Sequence, residues 1–399
     1  MKTLTDIPHL EGIKVLVRVD FNVPIQNGIV TDDFRIRVAI PTIDFLRSKG
    51  ARLILISHIE TSGGLISREK IASGPKAEKP TLAPVADYLK KKGLPVTFIK
   101  NIGGAYEASE QLKDGDIILL ENIRENAGEK ENDKKFAEQL ASVADIYVND
   151  AFSVSHREHA SICAVTQFLP SYAGLQLQKE VENLSMAFNP SHPFLFLLGG
   201  AKFDTKLPLI NKFLASADSI FIGGALANDA LKARGCEIGQ SKVSDGTTDI
   251  SGIINQPQIL LPADVVVQDH SVKEVGIDGC VGSIKKTDMI FDAGPATVKA
   301  LAQKINKSQF ILWNGPLGLF EKGFTEGTEE LAKLIATRTE EGKENGVQSI
   351  IGGGDTLSAI SKLGIEDKFT FVSGGGGAML DFLAQGTLVG IQALENSKA

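Results

Sequence analysis

One phrase recurs through the second half of this chain: a short apolar run, then glycines, then a helix-like stretch. Phe194–Leu198 leads into Gly199-Gly200-Ala201-Lys202, and Ser219–Ile222 leads into Gly223-Gly224. Ser349–Ile351 leads into Gly352-Gly353-Gly354-Asp355-Thr356, and Phe369–Ser373 into Gly374-Gly375-Gly376-Gly377. Apolar runs of this length read as strands covered on both faces, as in a parallel sheet. Glycine after a strand lets the backbone come close to a ligand. The amides of the following helix start then offer N–H donors and a positive dipole end to phosphate. A single Gly-Gly reads equally well as a tight turn. Several of them on strand ends along one sheet edge point to a ligand site, because ligands in open α/β sheets lie outside the carboxyl ends of the strands. Their irregular spacing excludes a solenoid repeat.

Strand and helix patterns alternate along the whole chain. Lys14–Asp20, Arg52–Ser57, Asp116–Leu120 and Ile146–Asn149 read as strands. Asp33–Lys49, Leu82–Lys91 and Asp133–Ser142 read as helices, with Pro41 kinking the first or marking its true start. Such βαβ alternation predicts an α/β fold with parallel sheets and right-handed crossovers. Thr61–Pro80 is rich in Gly, Ser, Lys and Pro and reads as a long loop. Strand ends carry charged and polar residues before Pro170 and glycines after Pro193. We therefore expect a first domain over 1–172, a connecting helix within 173–188 (Gln176–Phe188) and a second domain over 189–386. Different strand-end chemistries predict two different ligands.

The chain has 399 residues, 43% apolar and 23% charged, which suits a globular protein with substantial cores. A net charge of -7 argues against general nucleic-acid binding. Cys163, Cys236 and Cys280 are far apart and odd in number, so they form no disulfide framework or zinc pair and read as buried small hydrophobes. Met1–Gly12 lacks the apolar core of a signal peptide, and no run approaches the ~20 apolar residues of a membrane span. The expected location is the cytoplasm.

Cations gather near strand ends in the first half: Arg18, Arg35, Arg37, His58, Arg124, His156, Arg157 and His159. Arginine grips phosphate and carboxylate with a two-pronged fork. Asp20 and Asn22 end the first strand and could hold hydroxyls of a small polar ligand. Taken singly, each arginine reads first as a surface ion pair and each histidine as a structural one; the case rests on several of them following strands of one sheet. In the second half no Walker P-loop and no G-x-G-x-x-G fingerprint occurs, which weakens the Walker ATPase and NAD dehydrogenase readings. Asp355 is either a helix N-cap or a Mg²⁺ ligand on a nucleotide phosphate, and the two roles are compatible. Lys202 and Lys206 fall on one helix face, and both could reach phosphate.

Over essentially its full length the chain resembles the phosphoglycerate kinase family. The matching motifs are Arg18–Pro24, Leu119–Arg124, Asp150–Ser161, Gly199–Lys206, Trp313–Glu321 and Gly352–Thr356, in family order. The resemblance implies reversible phosphoryl transfer from 1,3-bisphosphoglycerate to ADP, giving 3-phosphoglycerate and ATP. It makes the chain a phosphotransferase with a carboxyl group as acceptor. It also implies a monomer of two Rossmann-like domains joined by a hinge helix, with a tail over 387–399 returning to the first domain.

Carried over by position, the triose site matches Asp20, Asn22, Arg35, His58, Arg124 and Arg157, with Arg35 meeting the transferring phosphoryl group. The nucleotide site matches Gly200, Ala201, Lys202, Lys206, Asn314, Glu321, Gly353, Gly354, Asp355 and Thr356. Arg35 and Lys202 are the expected catalytic residues, Glu321 the ribose contact and Asp355 the Mg²⁺ ligand. The family usually reads Ser-His-Leu-Gly-Arg-Pro where this chain has Ser57-His58-Ile59-Glu60-Thr61-Ser62. Thr61 thus stands at an arginine position with an acid beside it, and Arg68 is a candidate replacement. Gly374 stands at a usual threonine, and Gly223–Asn228 departs from the usual motif near the base. Two other readings are an NAD-dependent dehydrogenase and a non-catalytic sensor of phosphorylated metabolites.

Overall fold

The computed structural model describes residues 1–60, 79–201, 203–244, 250–276 and 282–397. The chain divides into two compact units, Met1–Glu182 with Thr387–Ala399, and Asn183–Gly386.

In the first unit six parallel strands run in the spatial order Val96–Ile99, Ile117–Leu120, Arg52–Ile56, Lys14–Arg18, Ile146–Asn149 and Ser171–Ala173. The first strand in sequence lies inside the sheet, flanked by a strand from each half of the unit. The chain leaves it for Arg52–Ile56 on one side, and Ile146–Asn149 comes back to pair on its other side, the kind of switch point outside whose strand ends ligands bind in open α/β sheets. Val15, Leu16 and Val17 are wholly buried, so the strand is apolar on both faces. The helix Phe34–Ser48 continues through Pro41, and it buries Ile36, Ala39, Ile43 and Leu46. Helix Lys134–Ala141 starts where Asp133 accepts the Phe136 N–H at 2.8 Å. The C-terminal helix Val389–Glu395 joins this unit through Gly390 N–H, which donates to Ser155 O at 2.8 Å.

The second unit carries its own six-stranded parallel sheet, ordered Ile259–Leu260, Ser219–Ile222, Phe194–Leu198, Phe310–Asn314, Gln348–Gly352 and Phe371–Ser373. Phe194, Phe196, Phe213 and Phe310 pack edge to face or stacked beneath it. All four glycine turns follow strands of this one sheet. A second sheet was not foreseen: Val272–Glu274, Asp264–Val267 and Ile290–Ala293 form an antiparallel trio with a register shift at Val266/Val267. Helix Leu175–Ser185 runs across the division between the units and ends in a tighter turn at Met186–Phe188.

Cys163 and Cys236 are half-buried rather than fully buried. Cys280, Thr61, Ser62, Arg68 and nearly all of the expected loop Thr61–Pro80 lie outside the described residues. No single helix among the described residues is long and apolar enough to cross a membrane.

Candidate functional site

The first unit gathers its charge at the carboxyl ends of its central strands. Arg18 closes the first strand and is wholly buried. Its Nε donates to Ser161 Oγ at 3.0 Å, its Nη1 to Val19 O, and its Nη2 to His58 Nδ1 at 3.1 Å. Beneath it Glu129, also wholly buried, accepts from Ser161 N at 2.9 Å and Ser161 Oγ at 2.7 Å. Tyr147 ties the same residue down through Ser161 O. A buried arginine with a buried carboxylate one hydroxyl away is thereby satisfied on all sides.

On this base stand the predicted triose residues. Asp20 Oδ2 accepts from Arg35 Nη1 at 2.8 Å and from Ser153 Oγ, and Asp20 Oδ1 accepts from Asn22 N at 3.1 Å. Asn22 Oδ1 in turn accepts the Glu60 N–H at 3.0 Å. His58 is buried, and its pKa is driven far down, first by burial and then by the charges of Arg18, Arg124, Arg35 and Arg157. The same four arginines therefore bear on one neutral imidazole. His159 is lowered to about 4, by burial and then by Arg124, Arg157 and Arg18. Arg157 is exposed, with Nε 3.3 Å from His156 Nε2. Arg37 belongs elsewhere, in an ion pair with Asp33 one helical turn away. Ser161 lay inside a quoted motif but drew no role. Glu129 was missed because its neighbours Glu125, Lys130 and Glu131 make the segment look like solvated surface.

In the second unit two of the glycine turns, at Gly200 and Gly224, help to line a cavity of about 390 Å³, with Ala201, Leu317, Glu321 and Asp355 among its other walls. Gly224 has a positive φ of 60°, and a Cβ there would lie 2.5 Å from Gly200 N. Only glycine lets these two turns meet. Gly200 N donates to Pro316 O at 2.8 Å, and Gly199 N to Asn314 O at 2.9 Å, fixing the first turn against the strand end at Asn314. Lys206, buried, bonds Asn314 Oδ1, and burial lowers its pKa to about 8 against the opposing pull of Asp355. Asp355 opens the helix Gly354–Leu363, and its side chain reaches solvent. Its pKa is nonetheless raised, first by partial burial and then by Glu321, with Lys206 opposing. Thr356 is wholly buried, and its Oγ1 accepts the Gly315 N–H at 3.1 Å. The fold thus brings Gly200, Ala201, Lys206, Asn314, Glu321, Gly353, Gly354, Asp355 and Thr356 to the strand ends of one sheet. Lys202 lies outside the described residues.

Sequence reading missed further cavity residues, including Gln240, Lys242, Phe291 and Asp292. Asp292 accepts from Gly327 N at 3.0 Å and Ala293 N at 2.8 Å, and burial raises its pKa to about 6. The signal was available: Ile290–Ala293 followed by Gly294 and a helix beginning at Pro295 is the same strand–glycine–helix phrase.

The sequence profile of phosphoglycerate kinase matches residues 4–386. The chain is 42% identical to a phosphoglycerate kinase of Dictyoglomus turgidum, covering 99% of each. It is 43% identical to one from Wolbachia sp. subsp. Drosophila simulans, covering 98% of this chain and 99% of that one. Among solved structures, it is similar to phosphoglycerate kinase from Coxiella burnetii (TM-score 0.80, 34% identity, 99% of each chain covered). It is also similar to that from Pyrococcus horikoshii OT3 (TM-score 0.81, 29% identity, 99% and 98% covered).

Proposed function

The chain belongs to the phosphoglycerate kinase family, whose members move a phosphoryl group reversibly between 1,3-bisphosphoglycerate with ADP and 3-phosphoglycerate with ATP, and from that premise we propose that its two units divide the substrates between them. The first unit takes the triose through Asp20, Asn22, Arg35, His58, Arg124 and Arg157. The second takes the nucleotide through Gly200, Ala201, Lys202, Lys206, Asn314, Glu321, Gly353, Gly354, Asp355 and Thr356. The observation that carries this division is the contrast in chemistry: four arginines bear on one neutral histidine in the first unit, while backbone turns and, among the described residues, a single buried lysine serve the second.

Phosphoryl transfer asks a protein for positioning and charge stabilisation rather than a nucleophilic side chain. Arg35 is held by Asp20 with one side of its guanidinium engaged, leaving further donors for the equatorial oxygens of the moving group. Neutral His58 donates from Nε2 to the triose. Asp20 and Asn22 orient its hydroxyl and backbone. Lys206 and the glycine amides balance the polyphosphate, and Glu321 takes the ribose. A carboxylate at a helix start beside phosphate-binding turns suits Mg²⁺, which draws most of its ligands from phosphate oxygens and water. Asp355 would hold it, and bound there it would supply positive charge against the polyphosphate.

Donor and acceptor held by different units react only once they are brought in line and water is shut out. We assign that movement to the helical segment Gln176–Phe188. Scattering in the presence of both ligands then gives a smaller radius of gyration than either ligand alone, and an unchanged value refutes the assignment. The enzyme reading itself is tested by following ATP formation from ADP and 1,3-bisphosphoglycerate. No ATP, with both ligands still bound, would favour a metabolite sensor.

A further inference from the structure

Within the triose site as proposed above, one contact works against the ligand. Arg124 follows the strand Ile117–Leu120 on a tight helical turn, and its side chain is only 5% exposed. Its Nη1 is paired with the carboxylate of Glu60, whose own side chain is 55% exposed. Among the described residues, the buried Nε and Nη2 of Arg124 find no hydrogen-bond partner. Arg124 is thus a buried cation satisfied at one donor, and burial lowers its pKa to about 10 while Glu60 pulls it back up. A guanidinium in that state is poised for a forked anion.

Glu60 is not a casual neighbour. Its backbone N–H is spent on Asn22 Oδ1. The residue before it is clamped on both sides by Asn122, which accepts from Ile59 N at 3.2 Å and donates to Ile59 O at 2.8 Å. Asn122 Oδ1 also accepts from Arg124 N at 3.2 Å. One amide therefore fixes the relative positions of the acid and the arginine, and the Glu60 side chain then swings onto Arg124 from the solvent side.

We propose that Glu60 is a built-in competitor for Arg124, a carboxylate that holds the anion-binding face of the arginine until a phosphorylated ligand displaces it, and so sets the affinity and charge threshold of the triose site. This inference rests on the triose-site reading above. Binding requires breaking one ion pair and leaving a negative side chain at the rim beside a polyanion. A ligand of higher charge wins that exchange, and a weakly charged one does not.

Calorimetric titration of the full-length protein with 3-phosphoglycerate, at fixed ionic strength, tests it. Glu60→Gln keeps the backbone donor to Asn22 and the side-chain volume while removing the charge. It should tighten 3-phosphoglycerate binding by about three- to fivefold, the scale of a half-exposed ion pair. Mg²⁺–ADP affinity should not change. In an Arg124→Met background the same substitution should give no gain. Unchanged or weaker 3-phosphoglycerate binding in Glu60→Gln, with an unchanged thermal midpoint, overturns the proposal. Arg157→Ala separates the two levels. If it leaves 3-phosphoglycerate binding intact, the triose site itself is misplaced. If it weakens binding while Glu60→Gln does not tighten it, only the competitor role falls.

Discussion

Nη2 of Arg18 lies 3.1 Å from Nδ1 of His58, and both side chains are buried. An arginine has only donors to offer, so Nδ1 must accept. The imidazole is therefore neutral and carries its proton on Nε2. Imidazole nitrogen spectra should show the Nε2–H form throughout pH 5–8, and a titration near the ordinary 6.5 would contradict this.

The same burial makes stability depend on acid. The folded-state pKa values of His58 and His159 are lowered, the latter to about 4, so below about 6.5 the unfolded chain holds protons that the folded chain does not. Their contribution is complete above 6.5 and falls away as pH drops, for His159 over the span from 6.5 to about 4. Asp150, raised by burial to about 7, has the opposite sign: its contribution is present below 3.8 and is lost as pH rises towards about 7. The difference is best isolated by substitution. His159→Gln should lose less stability than the parent between pH 7 and pH 5 in urea unfolding.

Arg35 Nη1 is paired with Asp20 Oδ2, and in the proposed function this pair aims the guanidinium at the reacting phosphoryl group. Arg35→Ala should lower kcat by ~10²–10³, the usual scale for removing one donor that stabilises transition-state charge. Asp20 keeps Ser153 and Asn22 N as partners, so the fold should survive. Steady-state kinetics with a near-normal kcat would remove Arg35 from the role.

The sequence exposed the site through its strand ends. An apolar run followed by glycine is legible because burial on both faces leaves no polar position to confuse the period, as in the wholly apolar Phe194–Leu198. Val96–Ile99 went unread because this edge strand is short and half-covered, with Thr97 exposed and Ile99 only partly buried, and Ser171–Ala173 because its three buried residues are too few to show a pattern. The antiparallel trio was missed for a related reason, since Val272–Glu274 shows no buried residue at all. Arg18 was read as a strand-end cation like Arg35. Its different fate, wholly buried on Ser161 and His58, depends on Glu129, whose chain distance hides the partnership. Which cation faces a ligand and which faces the core is decided by long-range contacts that local pattern does not carry.

Asp355 is a carboxylate placed where nucleotide phosphates and Mg²⁺ would meet it. Asp355→Ala should weaken Mg²⁺–ATP binding and leave 3-phosphoglycerate binding intact, since the proposal assigns the two ligands to different units. Calorimetry with each ligand separately is the check. Loss of both affinities would indicate damage to the fold, and loss of neither would remove the metal role. The raised pKa adds a sign: acidification protonates Asp355 earlier than an ordinary aspartate, so more Mg²⁺ should be needed for nucleotide binding as the pH falls.

Lys206 sets stability against function within one side chain. It is buried, and the fall of its pKa from 10.5 to about 8 corresponds to roughly 3 kcal/mol for keeping the ammonium charged there. That cost is present in full below about pH 8 and is relieved between about 8 and 10.5, where the unfolded chain alone stays protonated. Lys206→Met removes the cost but leaves Asn314 Oδ1 without this donor, an offset of about 1–3 kcal/mol. The variant should therefore match or exceed the parent in urea unfolding at pH 7, with its advantage shrinking towards pH 10. Its Mg²⁺–ATP affinity should fall at least about tenfold, since a charge-assisted phosphate contact is lost. A variant that is clearly less stable at pH 7 yet binds nucleotide normally would show that Lys206 serves the strand end at Asn314 and not the ligand.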